Sequence, residues 1–312
     1  MAVGKRHKAN FYTLLGGEPM MYERLWEIVE QNPDCYFQII TNGMFLSEEN
    51  VKRIRRAGNV TVLVSIDGWQ DTNDDRRGDG VFVKAVEGLE RLRRAKILFG
   101  VATTVTGPNM DQVVDDSYVR YFIDRGAMYL WYYIYRPVGD DPSPKYCVGR
   151  ERTIEFRKRL LELRRRHPII LIDTYWNADG EAVCPAALGL GFHIGPRGDI
   201  DPCPPLAMAC ETIRDNDGDL FQTINDSKFL RDFQAFVEQR TKGCVILEYP
   251  NELAQFFRDS KATDYSGRDM AAELDASTPR TSHHTPGEEL PENMRLYRLL
   301  KRQLFFGMGG YG

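Results

Sequence analysis

The chain has 312 residues, 42% of them apolar and 28% charged, and carries a net charge of −4. That length allows one large α/β barrel domain or two smaller domains with a real core, and no basic excess marks nucleic acid or an anionic membrane surface as the partner. No apolar run reaches the ~18–20 residues that span a bilayer, and the start lacks the apolar stretch of a secretory signal, so a cytoplasmic protein is expected. In that compartment the six cysteines are expected to serve metal or redox chemistry where they cluster, and core packing where they scatter, rather than disulfides.

In chain order, Lys5, Arg6, His7 and Lys8 read as a solvated end. Strand candidates rich in β-branched and aromatic residues follow at 11–15, 36–41, 60–67, 99–106 and 129–136. Amphipathic helix candidates lie between them at 22–31, 48–57, 82–95 and 112–125. Ser47, ahead of Glu48, Glu49 and Asn50, has the chemistry of a helix N-cap, and Gly58 that of a C-terminal stop. One helix between successive strands is the rhythm of a parallel sheet, either a barrel or a doubly wound fold. In both folds ligands bind at the carboxyl ends of the strands. Here those ends collect glycine and polar residues: Gly16, Gly17, Glu18 and Pro19; Thr41, Asn42 and Gly43; Ser65, Asp67 and Gly68; Thr104 and Thr106; Arg136 and Pro137. A Pro-rich break at 139–144 closes this half. A charged helix candidate at 151–167, a strand candidate at 169–175 and a cysteine-bearing module from Cys184 come next. The final stretch is polar and Pro/Gly-punctuated, with a helix candidate at 292–305 and poor order expected over 278–291.

Two glycines after an apolar strand let the backbone approach a ligand closely or take positive φ, and Pro19 pre-sets the chain for a helix. Gly16 and Gly17 alone would read as an ordinary βα turn. With Glu18 and Pro19, the segment resembles the S-adenosylmethionine (SAM) motif of the radical SAM superfamily. Thr41, Asn42 and Gly43, then Ser65, Ile66, Asp67 and Gly68, then residues 75–82, then residues 135–139 resemble later landmarks of that family in order. By strand alternation Ser65 and Asp67 share one face. The resemblance implies that Gly16, Gly17, Glu18 and Pro19 sit at the methionine end of SAM, with Thr41 and Asn42 beside them, and Ser65 and Asp67 near the ribose. The departure is plain: the 312 residues contain no CxxxCxxC, the three thiolates by which the family holds its [4Fe–4S] cluster. A truncated chain is the expected account, and a degenerate relative the rival one.

The cysteines of the second half have their own spacing. Cys184, thirteen residues, Gly198, four residues and Cys203 resemble the opening of a SPASM/twitch extension, which carries auxiliary Fe–S clusters. Residues 195–203 read as strand, tight turn and strand, a hairpin that folds Cys203 back towards Cys184. Cys244 and Cys210 are further candidate ligands, and at most one auxiliary cluster fits. Zinc and plain buried thiols remain alternatives to Fe–S. Cys35 reads as core, and Cys147 has no partner by spacing. His193 reads as structural, and His283 with His284 as a solvated pair. Tyr129, Trp131, Tyr133 and Tyr135 fall on one strand face, where core packing is the simpler reading and barrel-mouth aromatics the sharper one.

The expected fold is α/β: a partial (β/α)6 radical SAM barrel without its first strand over residues 1–140, a completing helix and strand over 141–183, a small cysteine-bearing α+β module over 184–267, and a polar tail over 268–312. The resemblance implies a radical SAM enzyme, in which reductive SAM cleavage yields a 5′-deoxyadenosyl radical that abstracts hydrogen from a substrate. SAM and [4Fe–4S] are the implied cofactors. A small molecule or peptide is the implied substrate, and a donor such as flavodoxin or ferredoxin the implied electron source. The chain as given is expected to be inactive alone. The alternative is a non-catalytic SAM- or Fe–S-binding relative that acts as a partner or scaffold.

Overall fold

The structure is a computed structural model that describes residues 1–138, 142–189 and 191–303. Gly139 of the expected Pro-rich break and residues 304–305 of the expected last helix lie outside them. The chain divides into two compact units: Lys8–Tyr135 with Arg159–Asp173, and Met1–His7 with Arg136–Lys158 and the chain from Thr174 onward.

The first unit is a half-barrel of six parallel strands in sequential order: β1 (Phe11–Leu14), β2 (Tyr36–Thr41), β3 (Val60–Ser65), β4 (Phe99–Val105), β5 (Tyr129–Ile134) and β6 (Ile170–Asp173). Every neighbouring pair is parallel. The register aligns Ile39 with Val62, Val64 with Val101, and Val101 with Leu130, which itself faces Leu171. These side chains are wholly buried and form the face that packs under the helices. Helix Glu48–Ala57 begins and ends as its residue chemistry dictates: Ser47 accepts the Asn50 amide, and Gly58 takes the left-handed conformation at φ +73°.

The opposite, inner face is polar and aromatic. Thr13 donates to the Gln38 side-chain carbonyl (3.3 Å), and Gln38 donates to the Tyr129 hydroxyl (3.0 Å), so a relay runs from β1 to β5. The Tyr129 ring covers Gly100, where any Cβ would come within 2.5 Å of it. Along β5 burial alternates: Leu130 and Tyr132 are fully buried, while Tyr129, Trp131 and Tyr133 are half-exposed on the inner face. This corrects the core-packing reading of those three aromatics; the core tyrosine of this strand is Tyr132.

Two helices depart from expectation. Residues 112–125 form two short helices, Met110–Val113 and Asp116–Asp124, because Asp115 caps a new start by accepting the Ser117 amide. Helix Gln70–Arg77 carries no apolar periodicity that would announce it.

In the second unit, β7 (His193–Ile194) and β8 (Asp199–Asp201) form the expected hairpin, closed by a turn in which Gly198 donates to Gly195 and sits at φ +87°. The short β10 (Glu211–Thr212) pairs with β8, and β9 (Met208–Ala209) with β11 (Thr263–Asp264). The core joins Ile200 and Leu206 to Phe229, Phe233 and Val237 of helix Lys228–Glu238 and to Leu253 and Phe257 of helix Pro250–Asp259. The expected solvated histidine pair is not found: His283 is 3% exposed, donates to the Val183 carbonyl (3.1 Å) and lies against the rings of Tyr175 and Trp176. Ser282 and Thr285, in the stretch expected to lack order, are also buried.

Candidate functional site

At the carboxyl end of β1, Gly16 has φ +142°, and a Cβ built on Gly16 or Gly17 meets nothing within 4 Å. The backbone here borders open space, as a ligand-facing turn requires. Glu18 follows in an extended conformation and caps the 3₁₀ turn Pro19–Met21 by accepting the Met20 amide (3.1 Å). Its carboxylate also accepts the Thr41 hydroxyl (2.9 Å) and the Asn42 amide (2.8 Å). Thr41 in turn accepts the Gly43 amide (3.1 Å), and the Asn42 side chain accepts the Met44 amide (2.9 Å). Gly16 to Pro19 and Thr41 to Asn42 are therefore brought together, with Glu18 as the tie between the ends of β1 and β2.

Ser65 and Asp67 share the inner face, as alternation dictates, but their partners differ. The Ser65 hydroxyl makes no hydrogen bond with another described residue. Asp67 is 1% exposed and fully engaged: one oxygen accepts the Thr104 amide (2.6 Å), and the other takes both Arg76 and the Arg77 Nε (2.6 Å). Asn109 fixes the backbone by donating to the carbonyls of Asp67 (3.0 Å) and Thr104 (2.8 Å). A buried carboxylate needs such compensation. Arg76, Arg77 and Asn109 were not singled out from the sequence. The adjacent arginines at the end of a polar segment were the available signal.

In the second unit three thiols interact with one another. Cys184 feels Cys244, and Cys203 feels both. Cys244 is buried, and Cys184 and Cys203 are partly so. Burial pushes the Cys184 and Cys203 thiols up, Cys203 well above the ordinary thiol range; the amides of Ala187 and Ala186 and the charge of Arg136 oppose this at Cys184. Arg136 donates its Nε–H to the Cys244 sulfur (2.9 Å) and its Nη1 to the Tyr175 hydroxyl (3.1 Å). Burial works against its charge, but Cys244, Tyr175 and Cys203 more than offset that and hold the guanidinium protonated. Cys210 is exposed, donates to the Ser260 carbonyl, and is pushed up to about 11 by burial and then by Glu211. Nothing links it to the other three thiols. No group of three His, Cys, Asp or Glu side chains that could hold a metal ion occurs among the described residues. Cys35 is core as expected, and Cys147 is half-buried. His193 bonds to Asp201 (3.0 Å), which keeps its imidazole pKa raised.

Known proteins bear on both sites. The model of the radical SAM superfamily matches residues 1–116. An AdoMet-dependent heme synthase of Nitratidesulfovibrio vulgaris is 31% identical over 288 residues, covering 83% of this chain and 76% of that protein. This chain belongs to the radical SAM superfamily. Another AdoMet-dependent heme synthase of this superfamily match, from Methanosarcina barkeri, is 31% identical over 147 residues, 46% of this chain and 42% of that protein. The chain thus spans less than half the length of that relative. Among solved structures, Streptococcus suis SuiB bound to S-adenosylmethionine aligns at a TM-score of 0.63 and 16% identity, over 79% of this chain and 61% of that one. That likeness concerns the fold: a radical SAM half-barrel whose strand ends carry the residues described above. No described helix is long and apolar enough to cross a membrane.

Proposed function

We propose that this chain holds SAM at the carboxyl edge of its half-barrel and an auxiliary [4Fe–4S] cluster on Cys184, Cys203 and Cys244, as part of a radical SAM enzyme. The observation that carries the reading is the open space beside Gly16 and Gly17, bordered by the Glu18–Thr41–Asn42 network. The turn leaves room for the methionine end of SAM, and the free Ser65 hydroxyl suits a ribose oxygen. Asp67 acts at one remove, by fixing Thr104 and the two arginines. When bound to a reduced cluster, SAM supplies a 5′-deoxyadenosyl radical that takes hydrogen from a substrate. The residues of the chain orient SAM and keep water from it.

The thiol site suits a cluster better than zinc. A zinc ion draws all its ligands to one point, whereas each thiolate of a cluster binds its own iron. Three mutually interacting thiols with no one-ion triad among the described residues match the second arrangement. Cys210 stands apart and is left out of the proposed ligand set. SuiB is also known bound to its precursor peptide SuiA; a peptide is accordingly one substrate class for this chain, and a tetrapyrrole of the kind suggested by the heme-synthase relatives is the other.

The 312 residues hold no CxxxCxxC. We take the SAM-cleaving cluster loop to lie upstream, so that the chain as given does not cleave SAM alone. That same observation favours the second reading, a non-catalytic partner or scaffold. Sequencing the coding DNA upstream and expressing the extended chain separates the two. An in-frame CxxxCxxC, with 5′-deoxyadenosine released from SAM and dithionite, supports the enzyme. An in-frame stop, with SAM bound but uncleaved, supports the scaffold.

A further inference from the structure

Arg136 follows the last strand residue of β5 by two positions and belongs to the second unit. It stands where a thiol site has no use for a bystander. Its Nε–H points at the Cys244 sulfur at 2.9 Å. The other side of the guanidinium is fixed twice by Tyr175: Nη1 donates to the phenol oxygen at 3.1 Å, and the guanidinium carbon lies 5.1 Å from the ring centroid. Tyr175 is itself buried and packed on Trp176 and His283. Pro137 follows and restricts the backbone of Arg136. The guanidinium is thus held in one orientation, with a donor aimed at sulfur. Arginine does not lose its proton in proteins, so this is a permanent positive charge beside Cys244, with Cys203 and Cys184 also within its field.

We propose that Arg136 sets the electron affinity of the metal centre held by Cys184, Cys203 and Cys244. This rests on the reading that those thiols hold a cluster. A thiolate-ligated cluster gains negative charge when it takes up an electron. Hydrogen bonds to the sulfurs and the net charge nearby are among the factors that set its potential. The Nε–H···S bond and the fixed charge both favour the reduced state. The amides of Ala187 and Ala186 that face the Cys184 sulfur act in the same direction at a second ligand. Arg136 is a positioning residue in this role: it touches a ligand of the cluster, not a reacting atom.

The test uses the full chain reconstituted anaerobically with iron and sulfide. It compares the wild type with Arg136→Gln, Arg136→Lys and Tyr175→Phe, by iron and sulfide analysis and an EPR-monitored redox titration. Arg136→Gln is expected to keep its cluster and to lower the equilibrium constant for one-electron reduction at least tenfold, about 59 mV. Arg136→Lys keeps the charge but loses the planar Nε donor, and falls between the two. Tyr175→Phe leaves the charge in place with a looser orientation, and moves the potential in the same direction by less. A loaded Arg136→Gln variant with the wild-type potential overturns the proposal. If that variant does not fold, an unmoved potential in both Arg136→Lys and Tyr175→Phe overturns it instead. A wild-type chain that takes up no iron and sulfide overturns the cluster reading itself, and the proposal with it; the metal analysis separates that outcome from a cluster whose potential ignores Arg136.

Discussion

At the carboxyl edge of the half-barrel, Glu18 and Asp67 each collect three donors from the chain itself: Met20, Thr41 and Asn42 for one, Thr104, Arg76 and Arg77 for the other. In the thiol site, Cys184 and Cys203 are driven by burial towards the neutral form, and a fixed guanidinium faces them with charge to spare. The first region is complete before any ligand arrives. The second is balanced only when its thiols ionise, which metal binding brings about. One site is preorganised by the protein, and the other is finished by its guest.

The sharpest way to break this contrast is Cys203→Ser. If the thiol site needs its guest, the variant loses its bound iron and sulfide, and its charge-transfer absorption falls to background after reconstitution. The half-barrel is expected to be unaffected. Retention of a full cluster would remove Cys203 from the ligand set. The next largest effect is expected at Asp67→Asn, which leaves Arg76 and Arg77 without their shared anion. Breaking a buried pair costs about 3–5 kcal/mol; since both arginines are partly exposed, a loss near ~3 kcal/mol is expected in urea unfolding. A change below ~1 kcal/mol would mean that the neutral amide satisfies both arginines.

Most of the half-barrel was legible because strands with β-branched and aromatic residues alternate with amphipathic helices. The Ser47 cap and the Gly58 stop were written in single residues. What was not legible depended on distant partners. Helix Gln70–Arg77 has no apolar stripe; it is anchored where Arg76 and Arg77 meet Asp67. His283 looked solvated because the polar residues around it gave no sign of Tyr175 and Trp176. The glycine-rich SAM motif could be read from local order alone. The engagement of Asp67 and the approach of Arg136 to Cys244, 108 residues away, could not.

Two smaller changes sharpen the comparison. Glu18→Gln replaces an acceptor-only group by one that also donates. The loss of charge-assisted bonds is expected to cost about 1.5–3 kcal/mol and to weaken SAM binding about tenfold by calorimetry. SAM binding equal to wild type would reduce Glu18 to a structural tie. Ser65→Ala is expected to leave stability within about 0.5 kcal/mol, since its hydroxyl has no partner to lose, and to weaken SAM binding by a few-fold. If stability falls by more while SAM binding holds, Ser65 belongs to the scaffold.

The inner face of β5 offers an optical handle. Trp131 is half-exposed and stacked on Tyr133 with ring centroids 5.4 Å apart. Trp69 is packed edge-on against Tyr118 and Tyr121, and Trp176 is 4% exposed beside Phe156 and His283. A molecule that settles on the inner face displaces water from the Trp131 indole and shifts its emission, while those two buried indoles stay silent. The half-barrel therefore carries its own fluorophore, able to follow the arrival of a substrate without a label.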